Sequence, residues 1–235
     1  MVAGVRIRPE DGSLIQIDPT WECLAMKTQG SVVCPLNGTT GRGTIIVGGC
    51  NEPILAIRCN GSFVGILSKT QSGNTFTWTL VTSVPDATVE YWVFDTTDVA
   101  QMAFNTTKGM RFRNSANGRV LFDSRYKYMR ILQMINMDAG TGSVDVAIPL
   151  TSGYAVAISN SGFYTTVVGG STTPGFWFIQ RAGFVAGIRT NTNGTVSVGL
   201  IQLAASTQEG QGTPPATGLM GNRNLLAQVL DMRNY

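Results

Sequence analysis

One stretch of this sequence occurs twice, and that repetition limits the fold more than any other feature. Gly4 to Met26 reads GVRIRPEDGSLIQIDPTWECLAM, and Gly109 to Ile131 reads GMRFRNSANGRVLFDSRYKYMRI. Both carry Gly-apolar-Arg-apolar-Arg, a polar turn with Gly, an apolar run, Asp and then an aromatic residue, about 105 residues apart. Ala56-Ile57 downstream of the first copy matches Ala157-Ile158 downstream of the second. Thr88 to Phe94 takes a place like that of Thr195 to Ile201. The order of these matches predicts two copies of one module, spanning 1–98 and 99–206, followed by a tail over 207–235.

Each copy opens with an expected β-hairpin. In the second, Met110 to Arg113 and Val120 to Phe122 flank Asn114-Ser115-Ala116-Asn117-Gly118, and Asn-Gly accepts the positive φ that a tight turn needs. Asp11-Gly12 does the same in the first. Alternation places Phe76, Trp78 and Leu80 on one strand face, and likewise Val144, Val146 and Ile148, and Tyr154, Val156 and Ile158. Short strands joined by Gly- and Asn-rich turns predict an all-β chain of two tandem β-sandwich modules. The tail reads differently. Gln208 to Gly221 has the composition of a flexible linker, and Leu225, Leu226, Val229, Leu230 and Met232 fall at helical spacing behind Asn222 or Asn224 as N-cap. A short C-terminal helix is therefore expected. It would need a surface to dock on, either its own body or another chain, because a helix of that length is marginal alone.

Composition bears mainly on chemistry. The 235 residues include no His, which removes Ser-His and Cys-His pairs and the commonest metal ligand. The acids Asp95, Asp98, Asp123 and Asp145 have no motif to bring them together, and Asp18 and Asp123 sit at equivalent points of the repeat, where a turn or capping role is expected. Gly38 to Gly43 and Gly48-Gly49 lack the Lys-Ser/Thr of a phosphate loop, so they read as glycines between strands. No catalytic, cofactor or metal site is expected, and the chain is read as a non-enzyme. Cys23, Cys34, Cys50 and Cys59 show no CxxC spacing, so they are expected as buried free thiols, with a bridge between neighbouring strands as the alternative. No apolar run approaches the roughly 20 residues that cross a bilayer, and MVAGVRIRPEDG lacks the apolar core of a secretory signal, so neither membrane insertion nor export is expected.

Charged residues make up only 13% of the chain, about half the usual share, so much of the surface is expected to be covered by partners. Two segments are candidates for contact. One is the basic cluster around the second hairpin, with Arg111, Arg113, Arg125 and Lys127 interleaved with Tyr126 and Tyr128. The other is the C-terminal stripe Leu225, Leu226, Val229, Leu230 and Met232. Alternation puts Arg111 and Arg113 on one strand face and Phe112 on the other, the pattern of a solvated or partner-facing sheet surface. A net charge of +3 is too mild to argue for nucleic acid by itself. Trp21, Trp78, Trp92 and Trp177 could make a sugar platform, although core positions are the usual fate of such residues.

The better repeat copy, Gly109 to Leu132 (GMRFRNSANGRVLFDSRYKYMRIL), resembles a sequence common in minor tail proteins of tailed bacteriophages. Tyr91-Trp92-Val93-Phe94-Asp95 resembles a strand end of the same proteins. These segments cover under a third of the chain. The resemblance implies a structural protein of the tail tip, baseplate or tail fibre of a long-tailed phage, in the virion and assembled in the bacterial cytoplasm. Its partners would be other tail proteins and copies of itself, trimers being frequent in such parts. Two other classes remain open: a receptor-binding module for a host pilus or glycan, and a tail enzyme degrading surface polysaccharide.

Overall fold

The computed structural model describes residues 5–7, 15–17, 23–103, 107–140, 142–173, 176–212, 216–233 and 235. All regular structure among them is β. The first half supplies β1 (Val5–Ile7), β2 (Ile15–Ile17), β3 (Ala25–Cys34), β4 (Leu36–Asn37), β5 (Thr40–Val47), β6 (Ile54–Arg58), β7 (Val64–Ser72), β8 (Thr75–Thr82) and β9 (Ala87–Asp95). The second supplies β10 (Arg111–Arg113), β11 (Val120–Asp123), β12 (Ile131–Asp138), β13 (Val144–Ala147), β14 (Tyr154–Asn160), β15 (Phe163–Thr173), β16 (Phe176–Thr190), β17 (Thr195–Gln211), β18 (Gly218–Gly221) and β19 (Asn224–Asp231).

The expected repeat is present in the topology, but the halves do not fold as two separate sandwiches. They share two sheets that pack face to face. The six-stranded sheet runs β12-β19-β14-β6-β9-β3, and the nine-stranded sheet runs β13-β17-β16-β7-β8-β5-β4, with β15 added to β16 and β18 to β15. Each half therefore gives one side of each sheet. The seam in the first is the antiparallel pair β6–β14, where Ala56 faces Ala157. These two alanines are equivalent positions of the repeat, so a pseudo-two-fold axis passes between them. The symmetry extends to detail: β3 slips register against β9 between Met26 and Thr28, and β12 slips against β19 between Ile131 and Gln133. A shared β-bulge at equivalent residues is strong evidence of duplication, because bulges are retained features of a fold.

This symmetry corrects the second module's boundary. The strand equivalent to β9 is β19, not the start of β17, since β9 and β19 both lie inside the six-stranded sheet while β17 belongs to the other. Val89, Val93, Phe94 and Asp95 correspond to Leu225, Val229, Leu230 and Asp231, all buried. The second copy thus runs on through Asp231, and the C-terminal helix is overturned: Asn224–Asp231 is a strand between β12 and β14. Leu225, Ala227 and Val229 point into the main core, and Leu230 and Met232 join a second apolar cluster. A strand apolar on both faces reads as a continuous run, which spacing alone does not separate from a helix. The linker is corrected too, because Gln208–Gln211 completes β17 and Gly218–Gly221 forms β18.

Between the sheets lie Leu55, Ile57, Phe76, Trp78, Leu80, Val156, Ile158, Ile188, Val196 and Val198, drawn from both halves. The faces read from alternation in β8 and β14 are accordingly core faces, whereas Val144 in β13 is 45% exposed. On the outer side of the six-stranded sheet, the segments leading into β3 and β12 cross antiparallel. Met26 N–H donates to Lys127 O (2.8 Å) and Met129 N–H to Leu24 O (2.9 Å). Leu24 and Met129 close over Ala56, Ala157, Trp92, Phe94 and Leu230 there. All four cysteines are free, and Cys34, Cys50 and Cys59 are buried, in agreement with the thiol reading.

Candidate interaction surface

The hairpin β10–β11 forms where the repeat placed it. Its turn closes through Gly118 N–H to Asn114 O (2.8 Å), and Gly118 takes φ 72°. Arg111 and Phe112 oppose Asp123 and Phe122. Asp123 is 1% exposed, and two guanidinium groups converge on it. Arg111 Nε lies 2.6 Å from Oδ2, and Arg125 grips both oxygens through Nε (2.8 Å to Oδ1) and Nη2 (2.5 Å to Oδ2). Tyr128 Oη accepts the Asp123 N–H at 2.5 Å, and burial raises that phenol above its ordinary range. Of the remaining basic candidates, Arg113 donates to Gly118 O (2.8 Å) within its own hairpin, and Lys127 lies 5.5 Å from the Tyr235 ring centroid. The cluster is therefore mainly a device that holds the hairpin together. Asp18 and the first hairpin's turn lie outside the described residues.

The C-terminal stripe is also inward. Leu225, Val229 and Leu230 are fully buried, Met232 is 5% exposed and Leu226 is half-buried, so the stripe packs against the chain's own body. Of the tryptophans, Trp78 and Trp92 are buried and offer no free face for a sugar. Trp177 is half-buried, its Nε1 donating to Gln211 O (3.2 Å). The side chain of Trp21 is outside the described set. The glycines of the Gly38–Gly43 run divide between a turn, with Gly38 at φ 66°, and strand β5, where a Cβ on Gly43 would lie 2.7 Å from Cys34 Sγ.

Two clefts flank the β6–β14 seam where its strands splay apart. One, of about 310 Å³, lies between Pro53–Leu55, Ile66–Lys69 and Ile158–Ser161. There Lys69 Nζ donates to Pro53 O (3.0 Å) and sits 5.0 Å from the Phe76 ring centroid. The other, of about 230 Å³, lies across the pseudo-two-fold axis, at Arg58, Asn60, Glu90, Tyr154 and Asn191. It is closed from within by the Arg58–Glu90 pair (2.5 Å) and by Tyr154, whose hydroxyl donates to the Thr195 carbonyl (2.8 Å) and accepts from Asn191 N–H (3.1 Å). No group of three Cys, Asp or Glu among the described residues could hold a metal ion.

The feature that sequence reasoning missed is an arm. In the first half β7 and β8 span 9 and 8 residues, but their counterparts β16 and β17 span 15 and 17. β16 meets β7 only at Ile188, and β17 meets β13 only over Thr195–Val198. The remaining lengths continue as a four-stranded sheet in the order β17-β16-β15-β18. Its covered side chains among the described residues are Tyr164, Val167 and Ile179, and it exposes Phe163, Val168, Phe176 and Met220 by 48–59%. Glycine permits its close layers: a Cβ on Gly169 would lie 2.9 Å from Thr217 Cγ2. The signal was available as an excess of 35 residues between Ile158 and Leu225 relative to the span from Ile57 to Val89. It was masked by the Gly/Thr/Pro composition that also marks linkers. No protein-family model, curated protein or solved structure matches this chain.

Proposed function

We propose that this chain is a structural protein of a bacteriophage tail tip, baseplate or tail fibre, acting by protein–protein assembly in the virion. The observation that carries the reading is the arm. Four strands leave the sandwich with little core of their own and with large apolar side chains in solvent, a form that is stabilised by being covered. The resemblance of Gly109 to Leu132 to minor tail proteins gives that assembly its setting. The arginines of this motif support the reading in a limited way. They tie the two strands of the hairpin and the turn after it together through Asp123, which suits a part whose task is rigidity.

The test is gold-labelled antibody against the protein on intact virions, with adsorption to cells measured in parallel. Label at the tail tip with adsorption unchanged is expected. Label with blocked adsorption would move the assignment to a receptor-binding part. Purified virions without the protein by mass spectrometry would overturn the tail role.

A further inference from the structure

The arm has two bare edges. Beyond Val198, β17 hydrogen-bonds to β16 on one side and to no described strand on the other, as far as Gln211. On the opposite side, among the described strands, β18 pairs only with β15, and β15 beyond Val167 has only β16. Each bare edge is a row of backbone donors and acceptors able to template another strand. Soluble chains usually blunt such edges with Lys, Pro or very short strands. Here β15, β17 and β18 contain neither Lys nor Pro, and Glu209 is their single charge. Glu209 is offset in the arm by Arg181 of β16, so arms can approach one another without net repulsion.

We propose that the arm joins copies of this chain head to tail, with β18 and the outer part of β15 of one copy hydrogen-bonded along β17 of the next. Three observations select this occupant. The four arm strands alternate in direction, so a neighbour in the same orientation presents its β17 antiparallel to β18 without any reorientation. Head-to-tail pairing satisfies both edges of every arm, whereas a two-fold pairing of like edges leaves the other edge of each copy bare. The exposed Met220 and Val168 lie on the strands that the neighbour would flank. The chain already joins its own halves by antiparallel pairing of equivalent strands, at β6–β14.

The test uses the full chain. Size-exclusion chromatography with light scattering should give a multiple of 25.1 kDa for the wild type. The double variant Ala205→Lys/Thr207→Lys, at exposed positions of the β17 edge, should fall to a single chain with unchanged far-UV circular dichroism. A wild type that stays single at all concentrations, or a folded lysine variant that keeps the multiple, overturns the proposal. A second measurement stands if the lysine variant misfolds. In a Cys23→Ser background, Gln208→Cys protein mixed with Met220→Cys protein should oxidise to mixed dimers. Within one arm those positions lie three strand spacings apart, about 14 Å, beyond the reach of a disulfide. Cross-linking of Gln208→Cys protein with itself would show two-fold pairing and overturn the head-to-tail arrangement. Failure here with gold label still at the tail would remove the arm pairing and leave the tail role standing.

Discussion

The two halves of the molecule share one strand arrangement and differ from each other in unequal places. Their inward positions agree: Val89 and Val93 match Leu225 and Val229, all fully buried, and the bulges fall at equivalent residues. The outer face of the six-stranded sheet does not agree. In the first half Trp92 covers Ala56, donates from Nε1 to Gln29 (2.9 Å), and carries Arg58 over its ring at 5.1 Å, with Glu90 paired to that Arg. At the equivalent point the second half has Gln228 beside Met134. Gln228 Oε1 is buried without a partner and Met134 is 52% exposed. In the nine-stranded sheet, the short β7–β8 hairpin of the first half has the long β16–β17 pair of the arm as its counterpart. The shared core holds both copies to one geometry, while positions outside it are free to acquire separate roles.

The largest expected effect tests whether the halves are one folding unit. A chain ending at Gly210 loses β19, and with it Leu225, Val229 and Leu230, each contributing about 2 kcal/mol by burial, out of a total stability on the order of 10 kcal/mol. It should lack a cooperative melt by circular dichroism. Retention of a folded first half would show that the halves are independent after all. Next comes the contrast of outer faces. Trp92→Ala should cost about 3–5 kcal/mol in a denaturant titration, whereas Gln228→Met should be neutral or stabilising, because it removes an unpaired buried acceptor. Equal losses at both sites would break the comparison.

A smaller effect is expected at the end of β19. The Arg233 side chain donates to Asp231 through Nε (3.1 Å) and Nη2 (2.9 Å), which holds that carboxyl below its ordinary value despite burial, with Arg130 assisting from 3.3 Å. A carboxyl depressed in the folded state contributes stability above its unfolded pKa and loses it as pH falls through the folded value. Asp231→Asn should therefore lower the melting temperature at neutral pH and approach the wild type once pH has fallen below the ordinary carboxylate range and through the folded value. An identical deficit at both pH values would rule out the ionised pair as the cause. Tyr154→Phe, which removes the hydroxyl bonded at the Asn191–Thr195 turn, should cost about 1 kcal/mol, read as a shift in urea midpoint. Arg113→Ala should change stability by less than about 0.5 kcal/mol, since its bond to Gly118 O is exposed, and a larger loss would return weight to the basic surface.

Much of this was legible in the residues. Asn117-Gly118 fixed the second hairpin's turn, alternation in β8 and β14 gave their core faces, and the Ala56/Ala157 match paired two residues as equivalent, although not as neighbours. The C-terminal stripe was misread for a physical reason. Leu225 and Leu226 are adjacent apolar residues, as are Val229 and Leu230, because β19 is covered on both faces, and such a run fits either period. The basic cluster was seen but not its purpose, since Asp123 lies ten or more residues from Arg111 and only the hairpin brings them together.

By itself the sequence determined what is local: all-β character, the turns, the alternation of strands and the existence of a repeat, each set by backbone preference or by the pattern of neighbouring residues. The tertiary structure decided what depends on distant partners. Whether two copies make two sandwiches or one depends on which strand edges meet, and every antiparallel edge offers the same backbone groups. The choice was settled by small side chains at Ala56 and Ala157, by the cover from Leu24 and Met129, and by a final strand that sits between β12 and β14 in the shared sheet.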